Sequence, residues 1–220
     1  MADLVGKSVI QRTYEAVRET NLFDDIWVAT DSDIIQNHIT NIGGKVFRSL
    51  VKHACGTNRV AECAEKLQAD IIINVQGDEP FISSTALKDL VDLFKFDNSK
   101  SVDLASLMIK IKSRDDIKNH DVVKVVADLN GRALYFSRSA IPYFQSKGEV
   151  FRHVGVYAFR KHALLDFYAQ PPTPLELAEN IEAIRYLEMG KVMQMKITEF
   201  IGIGIDSPED LERAKALITY

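Results

Sequence analysis

The chain has 220 residues, 46% hydrophobic and 26% charged, with 27 Lys+Arg against 31 Asp+Glu and a formal charge of -4. Its length and apolar fraction allow a substantial core and argue against disorder as the dominant state. The mild acidic balance offers a nucleic-acid backbone no diffuse attraction. No run reaches the roughly 18 apolar residues of a spanning helix, and the first residues lack the basic flank and apolar block of a signal peptide. Cys55 and Cys63 are too few for a disulfide framework and poorly spaced for zinc. The expectation is a cytoplasmic protein with unbridged thiols and with neither nucleic acid nor membrane as partner.

Residues 8–20 set Val9, Ile10, Tyr14 and Val17 on one stripe, so the first clear element is a helix. DIWVAT at 25–30 reads as a strand, 33–41 as a helix broken by Gly43 and Gly44, and KVFRS at 45–49 as a second short strand. The segment 58–68 spaces Val60, Cys63, Ala64 and Leu67 helically. Ile71 to Val75, apolar except for Asn74, suits a central parallel strand covered on both faces, and QGDEP stops it abruptly. Polar residues just after such a strand occupy the usual ligand edge of an open α/β sheet.

A helix over 84–94 follows, and then the pattern changes. VDLASLMIKI, VVKVVAD, GRALYFS and FRHVGVYAFR are closely spaced strands, with Asn130-Gly131 as a hairpin signal. One helix is predicted over 175–188, then the strand VMQMKITEF, then a final helix opened by Ser207, Pro208, Glu209 and Asp210. The whole reads as a three-layer α/β domain over 1–220 with a mostly parallel sheet and a mixed or antiparallel excursion at about 105–160.

Asp78 stands three positions beyond a buried strand, where a carboxylate can hold a hard divalent cation that meets phosphate oxygens; a turn cap is the plainer alternative. Asp206, after the Gly-rich IGIGI, can share one Mg2+ with it if the two strand ends meet, or simply cap the next helix. HACGTNR at 53–59 offers His53, Gly56, Thr57 and Arg59 as groups for positioning an anion, although Arg59 equally suits a helix surface. Arg138 suits a carboxylate clamp, while His153 and Tyr157 serve either a ligand or packing. Neither a GxGxxG fingerprint in its strand–turn–helix setting nor a Walker-type GxxxxGK[ST] occurs, which counts against ordinary NAD enzymes and P-loop NTPases.

Together, IIINVQGDEPFI, YFSRSAIPY, RHVGVYAFR, PPTPLELAENIEAIRYLE and GIDSPEDLERAK resemble the bacterial 3-deoxy-manno-octulosonate cytidylyltransferases, or CMP-Kdo synthetases, over almost the whole chain. The resemblance implies a nucleotide-diphospho-sugar transferase fold and a homodimer joining CTP to Kdo, with release of pyrophosphate, for lipopolysaccharide assembly. It implies Asp78 and Asp206 as the catalytic Mg2+ ligands, and His53, Gly56, Thr57, Arg59 and Gln76 on the nucleotide surface. It also implies Arg138, His153, Tyr157 and Glu182 against the sugar.

Asn58, Asp121 and Ala183 depart from the family pattern. Ala183 stands where glutamine is common, which motivates a related acidic or amino sugar as an alternative substrate. The family's first strand and basic phosphate loop are not found ahead of SVIQRTYEAV. The corresponding expectation is an N-terminally truncated form with weak activity, or an impaired, noncatalytic binding relative.

Overall fold

Two successive residues with positive φ, Val5 at 53° and Gly6 at 76°, turn the chain back at its start. A two-residue hairpin loop demands this conformation, which glycine adopts without a side-chain clash. The flanking pairs, β1 (Asp3–Leu4) and β2 (Lys7–Ser8), form an antiparallel ribbon. The helix is therefore not the first element: strands this short carry no periodicity and leave no sequence signal. Helix α1 (Val9–Glu19) begins at Ser8, whose Oγ accepts the Gln11 amide, and it buries Val9, Thr13, Tyr14 and Val17. Its Arg12 donates to the carbonyls of Leu4 and Val5, tying the ribbon to the helix.

The computed structural model describes residues 1–53, 55–143, 148–199, 204–205 and 207–218. They divide into two units, one of Met1–Gln68, Val75–Lys88 and Ile201–Tyr220, the other of Ala69–Asn74 and Asp89–Phe200. In the first unit β3 (Trp27–Thr30) and β4 (Lys45–Arg48) pair in parallel, joined by α2 (Asp33–Asn41). Helix α3 (Gly56–Glu65) follows. Leu4 and Val9 are buried with Ala214 of a final helix, and Phe81, Ile205, Leu211 and Ile218 pack around them.

The second unit is built on a six-stranded sheet. Its strands are β5 (Ile71–Asn74), β6 (Leu104–Lys110), β7 (Lys124–Ala127), β8 (Ala133–Ser137), β9 (Phe151–Arg160) and β10 (Met193–Ile197). Their order is β10-β6-β9-β7-β8, with β5 also on β9. Among the described residues β6 and β10 pair in parallel and the other strand pairs of this sheet are antiparallel, so the sheet is mixed. The central parallel strand expected at 71–75 is corrected: β5 pairs antiparallel with β9. An apolar run reports burial on two faces but not the direction of its neighbour.

Helix α4 (Ser84–Lys95) precedes β6, and α5 (Arg114–Lys118) follows it. Helices α6 (Lys161–Ala169), α7 (Pro174–Glu179) and α8 (Ala183–Glu188) come after β9. The single helix predicted over 175–188 is thus two, because Asn180 adopts the left-handed conformation, φ 54° and ψ 51°. Asparagine tolerates that region through its short polar side chain. The last helix, α9 (Pro208–Ile218), carries the expected cap: Ser207 Oγ accepts the Asp210 amide at 3.2 Å while Asp210 accepts the Ser207 amide at 3.0 Å.

Candidate functional site

In the first unit, α1 holds the QGDEP turn. The Thr13 hydroxyl lies 3.0 Å from the Gly77 carbonyl, and a Cβ on Gly77 would come within 2.8 Å of Ile10 Cδ1. Glycine is what permits this approach of turn to helix. The Asp78 carbonyl accepts the Ile205 amide at 3.0 Å, and a Cβ on Gly204 would lie 3.3 Å from the Glu79 carboxylate. Residues 204–205 therefore run against the turn that bears Asp78. Asp206 itself lies outside the described residues. Among those described, no group of three or more His, Cys, Asp and Glu side chains is gathered for a metal ion.

The nucleotide-surface candidates share this unit. A Cβ on Gly56, the first residue of α3, would sit 3.3 Å from Gln76 Oε1, so Gly56 and Gln76 are neighbours. Thr57 is buried in the first turn of α3, which contains no acidic residue and whose cap, Cys55, makes no side-chain capping bond. An N-terminus of that kind leaves its positive end uncompensated by local carboxylates. Arg59 Nη2 donates to Asp31 at 3.0 Å, while Arg59 Nε and Asn58 Oδ1 are buried without hydrogen-bond partners. His53 is placed otherwise than as a simple anion donor. Its Nε2 lies 2.7 Å from Glu62 Oε2, and the buried Ser49 hydroxyl donates to the same oxygen at 2.6 Å. Hydrogen bonds from Ser49 and then His53 hold the Glu62 carboxyl below its usual pKa.

The four sugar-side candidates lie in the second unit, where His153 and Tyr157 are in direct ring contact. The Arg138 guanidinium donates to backbone carbonyls of Glu179 at 3.0 Å, His120 at 3.1 Å and Asn180 at 3.4 Å. It thereby closes the C-terminal end of α7, two residues before Glu182 at the cap of α8. Phe136 of β8 meets the His153 ring edge-on at 5.1 Å, and His153 lies 5.3 Å from the Tyr157 ring. From there the aromatic series continues through Phe159, Tyr186 and Phe167. Burial pushes the His153 imidazole down to about 4, so it is neutral near pH 7. Ala183 is fully buried in the first turn of α8.

Three residues that support these candidates escaped the sequence reading. Lys124, fully buried, donates to the carbonyls of Asn119, Val122 and Arg138. Its pKa is lowered first by burial and then by the Arg138 charge. Glu179 accepts the Ser137 hydroxyl at 2.6 Å and the Arg138 amide at 3.0 Å. Ser106, also fully buried, contacts His153 Nε2 at 3.0 Å. The available signal was a polar residue interrupting an apolar strand, as in LASLM and VVKVV, because a buried polar group must have partners.

This architecture is that of the nucleotide-diphospho-sugar transferases, a class of nucleotidyltransferases. HddC from Yersinia pseudotuberculosis shares the fold, with a TM-score of 0.72 at 16% identity over 99% of this chain and 88% of that one. A cytidylyltransferase family model matches residues 1–197. The 3-deoxy-manno-octulosonate cytidylyltransferase of Flavobacterium johnsoniae is 52% identical over 99% of this chain and 91% of its own length. That of Christiangramia forsetii is 49% identical over 100% and 90%. A CMP:2-keto-3-deoxy-manno-octonic acid synthetase solved with CTP superposes with a TM-score of 0.93 at 34% identity, covering 99% of this chain and 90% of that one. The chain belongs to the 3-deoxy-manno-octulosonate cytidylyltransferase family. Among the described residues no helix is long and apolar enough to cross a membrane.

Proposed function

We propose that this protein transfers the cytidylyl group of CTP to 3-deoxy-manno-octulosonate, giving CMP-Kdo and pyrophosphate, as a cytoplasmic homodimer supplying lipopolysaccharide assembly. The observation that carries the reading is the 52% identity to a 3-deoxy-manno-octulosonate cytidylyltransferase across 99% of the chain.

Asp78 and Asp206 would hold Mg2+. The fit rests on donor chemistry: a turn carboxylate offers the hard oxygen that this ion takes. The Ile205 amide bonded to the Asp78 carbonyl supports a role for the neighbouring segment. When bound, the ion supplies positive charge to phosphate oxygens and to the leaving pyrophosphate. The α3 N-terminus, Gly56 and Thr57, with Gln76 beside them, orient the nucleotide, and Arg59, paired with Asp31, adds guanidinium hydrogen-bond donors. In the second unit Arg138, held by carbonyls rather than neutralised by them, attracts the sugar acid. Tyr157 and Glu182 offer its hydroxyls hydrogen-bond partners, as does His153.

Incubation of the purified chain with CTP, Kdo and Mg2+ tests the reading by pyrophosphate release and product identification; CMP-Kdo is expected. No turnover, or preference for another acidic sugar in a side-by-side panel, overturns it. Asp78→Ala is expected to reduce kcat/KM by at least about 100-fold, the upper range for loss of a group that supports a metal, with unchanged circular dichroism. Light scattering should give the mass of a dimer.

A further inference from the structure

His153 and Tyr157 are four residues apart on β9, a separation of about 13 Å along a regular strand. Their rings are nevertheless 5.3 Å apart. The register explains the contraction: Ser106 of β6 pairs with Tyr157, yet its neighbour Leu107 pairs with Val154, so residues 155 and 156 form a bulge. Bulges re-aim side chains in this way. Ser106 lies at the bulge, its Oγ 2.9 Å from the Val154 carbonyl, 2.8 Å from the Val156 carbonyl and 3.0 Å from His153 Nε2.

Those three contacts restrict where protons can be. A serine hydroxyl has one proton to give, and a carbonyl oxygen can only accept. Were that proton given to His153, both carbonyls would face oxygen lone pairs at hydrogen-bond distance in a buried place. The arrangement without repulsion has the hydroxyl donating to the carbonyls and the imidazole donating to Oγ. We infer that Ser106 is a positioning residue that holds neutral His153 in its Nε2–H tautomer, leaving Nδ1 as a bare acceptor for a hydroxyl of the sugar substrate. Among the described residues Nδ1 has no hydrogen-bond partner, and it carries the only lone pair that this tautomer leaves in the ring plane. The low pKa of the imidazole, about 4, agrees with a neutral ring. The inference rests on the reading of His153 as a sugar-side residue, but the tautomer can be measured without it.

The test uses the full chain labelled with 15N-histidine, with long-range proton–nitrogen spectra recorded near pH 7 with and without Kdo. A protonated Nε2 and a bare Nδ1 are expected, with the Nδ1 resonance shifting on titration with Kdo. A protonated Nδ1, an imidazolium, or an Nδ1 resonance indifferent to saturating Kdo overturns the inference. Ser106→Ala should raise KM for Kdo about threefold to tenfold, the loss of one neutral hydrogen bond, leaving KM for CTP unchanged. Ser106→Thr, which keeps the hydroxyl, should restore KM. Equal damage to both substrates, without rescue by threonine, would make Ser106 merely structural and overturn the positioning role. If His153→Gln leaves KM for Kdo unchanged while the wild-type tautomer is Nε2–H, the sugar-side reading fails and the tautomer stands.

Discussion

The candidate groups of the two units hold their cations in different ways. In the first, Arg59 meets Asp31 at 3.0 Å and Arg48 meets Asp33 at 2.9 Å. In the second, Lys124 and Arg138 are anchored to backbone carbonyls, with the Glu179 carboxylate engaged by the Ser137 hydroxyl and the Arg138 amide. A carboxylate cancels the charge it pairs with, whereas a carbonyl satisfies the donor and leaves the charge in place. The second arrangement leaves its positive charge uncancelled by a partner. The first fixes loop geometry around a helix N-terminus that has no acidic residue in its first turn.

The sharpest probe of this contrast is a pair that breaks the pattern within the second unit. Arg185 there meets the Glu176 carboxylate with both Nε and Nη2, and its guanidinium lies 3.8 Å over the Phe167 ring, all buried. Arg185→Ala leaves an uncompensated buried carboxylate and should cost about 3–5 kcal/mol in urea denaturation. A loss below about 1 kcal/mol would mean that pairing in this unit does not follow charge.

Next is the pH dependence set by His153. Its folded pKa, about 4, lies below the value of about 6.5 in an unfolded chain. The unfolded state therefore binds the proton first as pH falls. The stabilisation is complete above pH 6.5 and is lost progressively as pH falls toward 4, by up to about 3 kcal/mol. His153→Phe should abolish that slope in denaturation midpoints measured from pH 7 to 4; a persisting slope would assign it elsewhere.

Lys124→Met removes a buried cation but leaves the carbonyls of Asn119, Val122 and Arg138 without their donor. A loss of about 1–3 kcal/mol is expected, measured by thermal unfolding, together with insensitivity of the wild-type contribution to salt. A gain in stability would show that the charge, rather than the carbonyls, dominates. The smallest effect belongs to Glu62→Gln, which keeps an acceptor for Ser49 but removes the charge facing His53. About 1 kcal/mol should be lost in thermal unfolding, the difference between hydrogen bonds to a charged and to a neutral acceptor; no loss would show that the Ser49 and His53 contacts do not depend on the carboxylate charge.

Much of the fold was legible because apolar spacing reports which face of an element is buried. The stripe Val9, Tyr14 and Val17, the Ser207 cap and the hairpin at Asn130-Gly131 all follow from local chemistry. What failed depended on partners distant in sequence or on elements too short to show a period: the β1–β2 ribbon, the antiparallel direction of β5, and the left-handed Asn180 that divides α7 from α8. At the site, the motifs single out candidate residues but not the groups that hold them. Ser106, Lys124 and Glu179 act through contacts 47, 14 and 42 residues away.

The amino-acid sequence alone determined the α/β class, the turn chemistry and the family, since motif residues and local periodicities are written along the chain. Only the tertiary structure decided that Arg138 is gripped by carbonyls, that His53 is turned toward Glu62, and that a bulge draws His153 against Tyr157. The physical reason is that hydrogen bonding and charge compensation are settled by whichever groups meet in space, and register, not sequence distance, chooses them.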